Sequence, residues 1–267
     1  MPELATPPES AEEEKESMQT MGFLDHLEEL RKRIVYSIVA VAVGFCLCWW
    51  KVERIYDVIQ RPIMDALQKN GMAEKLVYLN PTEPFNLYLK TAALAGLFLT
   101  SPFVLYQVWM FISPGLYRKE KKYVVPFMVS TITLFACGGY FGYKIVYPAA
   151  LNFLIDFGKQ FKPMITINEY TQLFLSIILG MGLIFEMPIL VFFLSLMGII
   201  SAGFMWKNFR YSILVIFIIA AIVTPTTDIL NMCIFAAPMI ALYAISIGVA
   251  WLVHPKQRAA RREKQAQ

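Results

Sequence analysis

Two carboxylates of this sequence stand inside short basic segments, where they could receive a charged ligand. Glu29 lies in FLDHLEELRKR at residues 23–33, and Glu120 lies in FISPGLYRKEKK at residues 111–122. Arginine presents a planar fork of N–H donors that pairs with a carboxylate through two hydrogen bonds, a geometry that lysine cannot reproduce. These acids can therefore accept guanidinium groups from a basic peptide. The alternative is a pair of surface salt bridges, Glu29 with Arg33 and Glu120 with a neighbouring lysine.

A third carboxylate, Glu186, lies in a long apolar run. No other Asp, Glu, Lys or Arg occurs between Glu169 and Lys207, and Pro188 follows two residues later. A carboxylate near the centre of a bilayer costs at least ~2.5 kcal/mol, so it is protonated, paired or hydrated. We predict that Glu186 lines a concave, partly wet groove and meets a polar group of a partner helix or an inserted peptide. The alternative is a protonated Glu186 that hydrogen-bonds to a backbone carbonyl freed by Pro188.

The elements that position these acids are predicted from the apolar runs. Hydrophobic residues make up 57% of the 267 residues and charged residues only 16%, whereas a soluble domain is roughly one quarter charged. About 20 apolar residues in a helix span a bilayer, and the sequence lacks the alternation of barrel strands. The fold class is therefore an all-α membrane protein.

Six spans are predicted within a membrane domain at residues 21–255. They cover residues 34–50, 87–111, 123–147, 170–197, 211–223 and 229–253. Four of them contain a proline, which predicts bent helices and a concave, cup-like shape. Residues 1–20 form an acidic tail that we expect to be disordered, and residues 256–267 form a basic tail. The amphipathic segment from Phe23 is expected to lie at the interface and run into the first span.

Lysine and arginine residues predict the orientation of these spans. They concentrate before the first span, in the second and fourth connections, and in the carboxy-terminal tail. Positive charge is retained on the cytoplasmic side, and an even number of spans places both termini there. Four tryptophans are expected to anchor span ends at the membrane interface: Trp49, Trp50, Trp109 and Trp251.

The remaining reactive residues do not form a catalytic or metal-binding pattern. The four cysteines lie in apolar runs without a CxxC or Cys/His spacing, so neither a disulfide framework nor a metal site is expected. No Ser/His, His/Glu or paired-carboxylate constellation occurs inside the spans. We expect no cofactor and no enzymatic activity. The first apolar run is interpreted as a retained span rather than a cleavable signal peptide.

Five strings occur in order across about residues 22–255. They are HLEELRKR at 26–33, RPIMDAL at 61–67, YQVWMFISPGLYRKEKK at 106–122, LIFEMP at 183–188 and TPTTD at 224–228. Together they resemble the TatC family, the multispanning receptor subunits of the twin-arginine protein translocase.

The resemblance implies a function in the bacterial inner membrane. The chain would bind twin-arginine signal peptides of folded proteins, assemble with TatA- and TatB-type single-span proteins, and use the proton gradient for export. It assigns Glu29 and Glu120 as the acceptors of the arginine pair, and Glu186 as an intramembrane polar site. Further residues of the site and of other family motifs are Arg31, Arg33, Phe111, Pro114, Pro62 and Asp228. Asp228 would also be well placed to cap the sixth span.

Two other function classes remain as alternatives. A proton-coupled small-molecule transporter could use Glu186 as its proton carrier, but the sequence has no repeat relating its halves and no further intramembrane charges for a relay. An intramembrane enzyme is disfavoured by the missing catalytic constellation. The receptor is the favoured interpretation.

Overall fold

The computed structural model describes residues 23–69, 76–112, 124–158, 160, 165–196, 198–224 and 229–265. At residues 23–25, 112, 124, 231 and 253–265 it describes the helical backbone but not the side chains. Across these ranges the chain is helical, with no β-strand and one isolated bridge between Val77 and Thr166. In chain order the α-helices are α1 Phe23–Trp49, α2 Val52–Lys69, α3 Glu83–Ile112, α4 Val124–Phe141, α5 Tyr147–Phe157, α6 Ile167–Ile184, α7 Met187–Leu196, α8 Ala202–Lys207, α9 Phe209–Val223 and α10 Ile229–Gln265.

Five apolar stretches in these helices are long enough to cross a membrane. They are His26–Trp49, Glu83–Phe111, Val125–Phe157, Ile167–Leu196 and Met232–Leu252. A π-helical segment, Gly142–Val146, joins α4 to α5 within the third stretch. The apolar helix α9 is shorter, at 15 residues, as the length of its apolar run predicts. The helical membrane class is confirmed.

Helices α1 and α3 pack side by side in opposite directions. His26 stacks on Phe111 at one end of the pair, and Trp49 packs edge-on against Phe85 at the other. Between them the backbones nearly touch, because a Cβ atom on Gly44 would lie 2.8 Å from the Gly96 carbonyl oxygen. We call the end with His26 and Phe111 the Glu29 face, and the end with Trp49, α2 and Phe85 the α2 face.

Glycines also set the approach of α4 to α6. A Cβ atom on Gly138 would lie 2.5 Å from the Met181 carbonyl oxygen, and one on Gly142 would lie 3.2 Å from the Met181 Cβ. The sequence predicts close helix contact at these glycines, and the structure confirms it. The core centres on this contact and on α10. Its largest fully buried apolar side chains are Tyr147, Tyr170, Phe235, Ile63, Ile177, Met181 and Met239.

The fourth span is interrupted between α6 and α7. Pro188 has no N–H with which to close a helical bond to the Ile184 carbonyl, and the chain makes a turn there in which the Glu186 amide bonds to the Leu183 carbonyl over 3.1 Å. Helices α3 and α10 run without a break through Pro102 and Pro238. Of these three prolines, only Pro188 coincides with the end of one helix and the start of another.

Two helices differ from the sequence-based expectation. The predicted spans place residues 52–69 in the connection between the first and second spans, which was expected to be a loop, but these residues form α2, with Pro62 inside it. This prediction was wrong because the segment is not apolar overall: it buries one stripe, including Ile63, Ala66 and Leu67, and exposes the other. The last helix continues to residue 265, beyond the predicted end of the sixth span at residue 253.

Candidate functional site

The predicted acid Glu29 is held on the Glu29 face by an arginine one helical turn further along α1. Arg33 donates to Glu29 Oε1 from Nε over 2.9 Å and from Nη2 over 2.5 Å. Its remaining amino group, Nη1, donates to Gln107 Oε1 of α3 over 3.1 Å. The guanidinium therefore joins the first span to the second, and Glu29 is fixed in position.

The second oxygen of this carboxylate is left unused. Glu29 Oε2 is buried and has no hydrogen-bond partner among the described residues, although the whole Glu29 side chain remains 18% exposed. An ionised carboxylate has about four acceptor positions, so Glu29 retains acceptor capacity. Glu28, one residue earlier, is exposed. Among the described residues Glu28 forms no ion pair, although Lys32 lies four residues further along the helix.

An aromatic stack lies next to this carboxylate on the same face. The rings of His26 and Phe111 are 4.3 Å apart and inclined by 18°. Phe111 lies one helical turn after Gln107, at the end of the apolar part of α3. His26 lies one turn before Glu29 on α1. Arg31 is exposed. Aromatic faces attract guanidinium groups, so the stack offers a second contact for an arginine side chain.

The structure therefore brings together three of the predicted site residues, Glu29, Arg33 and Phe111. Glu120 and Pro114 lie outside the described residues. Sequence reasoning missed Gln107, which is buried, and the pairing of His26. The signal for Gln107 was available: it is a lone amide in an apolar run, close to the end of a predicted span.

Trp109 corrects one expectation and explains how the end of α3 is fixed. It was expected to anchor the span at the membrane interface, but only 6% of it is exposed. Its Nε1 donates to Thr131 Oγ1 of α4 over 2.9 Å, and its ring stacks on Phe127 and meets Phe193 of α7 edge-on. The expectation was wrong because a neighbouring hydroxyl satisfies the indole N–H inside the bundle.

Glu186 lies in the turn between α6 and α7. Its side chain is partly buried, and the carboxylate oxygen Oε1 is buried without a hydrogen-bond partner in the described part of the chain. The bond to a carbonyl that the alternative interpretation requires is not made by Oε1. A buried polar atom without a partner costs about 1–3 kcal/mol, so a polar group that reached this oxygen would be stabilising.

Pro62 has a structural role on the α2 face. Because proline has no N–H, the Val58 carbonyl one turn earlier lacks its helical donor. The Tyr143 hydroxyl donates to the Val58 carbonyl over 2.6 Å, and the Tyr170 hydroxyl donates to the neighbouring Ile59 carbonyl over 2.7 Å. The Val58 and Ile59 carbonyls near Pro62 thus tie α2 to the third and fourth spans. Asp228 lies outside the described residues.

Comparison with known proteins decides the family. The sequence model of TatC, the Sec-independent protein translocase protein, matches residues 25–238. The chain belongs to the TatC family. It is 68% identical over 251 residues to a TatC protein of Koribacter versatilis, covering 94% of this chain and 93% of the relative. A TatC protein of Carboxydothermus hydrogenoformans is 36% identical over 244 residues, covering 91% and 98%.

Solved structures agree with this membership. A crystal structure of the twin-arginine translocase receptor TatC superposes with a TM-score of 0.77 at 32% identity, covering 85% of this chain and 99% of that one. This TatC-family chain is therefore a helical membrane component of a protein translocase and not an enzyme. The resemblance inferred from the five strings is confirmed.

Proposed function

We propose that this chain is the receptor that binds twin-arginine signal peptides in a Sec-independent translocase, with Glu29 as one acceptor of the arginine pair. The observation that carries the proposal is that Glu29 Oε2 is buried and has no hydrogen-bond partner among the described residues, one helical turn from the stack of His26 on Phe111. A guanidinium that donates to this oxygen would satisfy it, and could lie against the ring of Phe111 or His26.

The chemistry of the site favours arginine over lysine. Glu29 is held by Arg33, and Arg33 is held by Gln107, so the acceptor is preorganised and loses little entropy on binding. The nearby Arg31 and Lys32 repel a peptide segment that is merely basic. The two arginines of a signal peptide can instead place their planar, fork-shaped guanidiniums on carboxylates. We propose Glu120 as the acceptor of the second arginine, with Pro114 shaping its loop.

The rest of the proposed architecture follows the orientation inferred from charge. The chain crosses the bacterial inner membrane six times, the short helix α9 included, and forms a cup with both termini in the cytoplasm. The acidic segment 1–20 and the basic segment 256–267 both lie in the cytoplasm. TatA- and TatB-type single-span proteins are the proposed partners, assembling into a multi-copy, proton-gradient-driven complex, and Asp228 acts at the opposite face.

The test is peptide binding to the detergent-purified chain. A fluorescent twin-arginine signal peptide and its twin-lysine counterpart are titrated against the unaltered chain, Glu29→Ala, Glu120→Ala and Glu28→Ala. We expect Glu29→Ala and Glu120→Ala each to weaken binding of the arginine peptide by about tenfold or more, equivalent to about 1.4 kcal/mol. Glu28→Ala is the matched control, since it removes an adjacent exposed acid, and should change binding by less than about twofold.

Two outcomes would contradict the receptor proposal. Equal binding of the arginine and lysine peptides would leave only general electrostatics. Equal losses in Glu28→Ala and Glu29→Ala would show that net charge, and not the positioned carboxylate, controls binding.

A separate experiment addresses Glu186. We propose that its unpartnered oxygen meets a polar group of a partner helix or of the inserted peptide. Glu186→Ala should reduce co-purification of the single-span partners and export of a folded reporter, while Glu186→Gln, which keeps a hydrogen-bonding group, should retain more of both. If Glu186→Ala left assembly and export unchanged, this role would be abandoned. Proton-coupled solute uptake by the chain alone in liposomes would instead support the transporter alternative.

A further inference from the structure

A cleft of about 470 Å³, which neither Glu29 nor Glu186 lines, opens on the α2 face. It lies where the end of α1, the first turn of α2 and the first turns of α3 meet. Its volume falls within the roughly 300–1,000 Å³ typical of small-molecule sites. The residues that carry the argument are Trp49, Trp50, Lys51, Glu53, Arg54 and Phe85.

Aromatic side chains place the cleft at the level of lipid headgroups. The apolar stretch of α1 ends at Trp49, whose ring meets Phe85 edge-on at 6.0 Å and 72°. Trp50, the next residue, is 83% exposed. Tryptophan is enriched at the membrane–water interface because its ring is apolar and its N–H is polar. The cleft thus lies directly beyond the apolar part of the first span.

Two cations and one anion line this cleft. Lys51, Arg54 and Glu53 are exposed, and neither cation is within salt-bridge distance of a carboxylate in the described ranges. The cations are available to a phosphate, which pairs well with arginine and lysine. Glu53 and the aromatic faces are available to an ammonium. The combination suits a headgroup that carries both charges.

Below the cleft, α1 offers a surface for acyl chains. Leu47 and Val43 precede Trp50 by three and seven residues, so they share its side of the helix. They are 59% and 55% exposed. A lipid with its headgroup in the cleft can extend its chains along this apolar stripe.

We propose that the cleft binds the headgroup of phosphatidylethanolamine, with Lys51 and Arg54 contacting the phosphate and Glu53 accepting from the primary ammonium. A choline headgroup has no N–H to donate to Glu53, and a glycerol headgroup has no cation. The site does not depend on the proposed signal-peptide function.

The test measures lipid binding to the full chain by native mass spectrometry. The detergent-purified protein is mixed with equal amounts of phosphatidylethanolamine, phosphatidylglycerol and phosphatidylcholine. We expect a preference for phosphatidylethanolamine. Lys51→Gln combined with Arg54→Gln should weaken its binding by about tenfold, as expected for lost charge-assisted hydrogen bonds, and Glu53→Gln should abolish the preference over phosphatidylcholine.

The matched control combines Arg61→Gln with Lys69→Gln. These residues are exposed on the same helix and do not line the cleft, so the variant should bind lipid like the unaltered chain. Circular dichroism checks that each variant retains its helices. The proposal would be overturned by equal binding of the three lipids, by equal losses in control and cleft variants, or by displacement with soluble phosphoethanolamine at similar concentrations.

Discussion

Arg33 is the side chain through which the first span acquires its binding geometry. Three of its N–H groups are used: Nε and Nη2 on Glu29, and Nη1 on Gln107 of α3. A salt bridge on an exposed helix surface contributes little to stability. Here the Glu29–Arg33 pair is partly buried, and Arg33 also bonds to Gln107 of a second helix. Removing the guanidinium would therefore leave the acceptor oxygens of Glu29 and Gln107 without this donor.

This arrangement predicts that Arg33→Lys destabilises the protein by about 1–3 kcal/mol, because an ammonium cannot reach Glu29 and Gln107 in the same fork geometry. Arg31→Lys is the control: the residue is on the same helix, is exposed, and should change stability by less than about 0.5 kcal/mol. Thermal unfolding in detergent, followed by tryptophan fluorescence, measures both. Equal shifts in the melting temperature would contradict this role.

The hydroxyl of Tyr143 has a comparable function on the α2 face, where it caps the carbonyl that Pro62 leaves without a donor. Burial raises the pKa of the nearby Tyr56 hydroxyl above its ordinary value, and Tyr88 and Asp57 raise it further. Tyr56 is therefore neutral at physiological pH and adds no charge to this contact. The hydrogen bond from Tyr143 to Val58 is one polar link that a substitution can remove.

We expect Tyr143→Phe to cost about 0.5–1.5 kcal/mol, the usual net value of such a hydrogen bond, and to speed amide exchange in α2. Tyr140→Phe is the control, since Tyr140 is 65% exposed and should have no effect. Pro62→Ala restores an N–H to the Val58 carbonyl, so it should reduce the cost of Tyr143→Phe in a double-mutant cycle. Additive effects would refute the proposed capping.

At the level of elements, glycines decide how close the helices come. The close crossing at Gly44 and Gly96 brings α1 near enough to α3 for Arg33 to reach Gln107. Trp109 fixes the end of α3 through its bond to Thr131. Small residues are the usual means of close approach between membrane helices, since lipid gives little hydrophobic drive for their association.

Gly44→Ala should therefore destabilise the α1–α3 pair by about 1–3 kcal/mol, because the new Cβ would lie 2.6 Å from Thr100 Cγ2 and 2.8 Å from the Gly96 oxygen. Gly248→Ala serves as control: it is also in a helix, and nothing lies within 4 Å of its Cβ position. Alanine there should be neutral or slightly stabilising, by up to ~1 kcal/mol. Similar melting temperatures for the two variants would contradict the close-crossing argument.

On the scale of the whole molecule, the exposed apolar surface fits a lipid environment. Helix α1 packs mainly against α3, and its outer residues Ile38, Val39 and Val43 are exposed by more than half. In water such a surface would be unstable, whereas a bilayer covers it. We therefore propose that the two faces of the bundle, with Glu29 on one and α2 on the other, lie on opposite sides of the membrane.

This separation predicts opposite labelling of the two faces. Two single-cysteine variants are made after the four native cysteines have been replaced. Leu79→Cys reports on the α2 face. Phe204→Cys reports on α8, the helix that follows α7, and α7 contacts Trp109. Both positions are exposed, by 70% and 61%. A membrane-impermeant maleimide should label position 79 in spheroplasts and position 204 in inverted vesicles. Labelling of both from one side would overturn the proposed orientation.

The sequence by itself determined the helical membrane class, the five long apolar stretches and the family. These properties depend on local composition and on ordered strings, since a run of about 20 apolar residues partitions into a bilayer whatever its neighbours are. Tertiary structure alone decided which partners meet. Gln107 lies 74 residues from Arg33, Trp109 is buried because Thr131 satisfies it, and α2 forms around Pro62 because one stripe of it is buried. Such contacts depend on which helices approach each other, and hydropathy does not encode that choice.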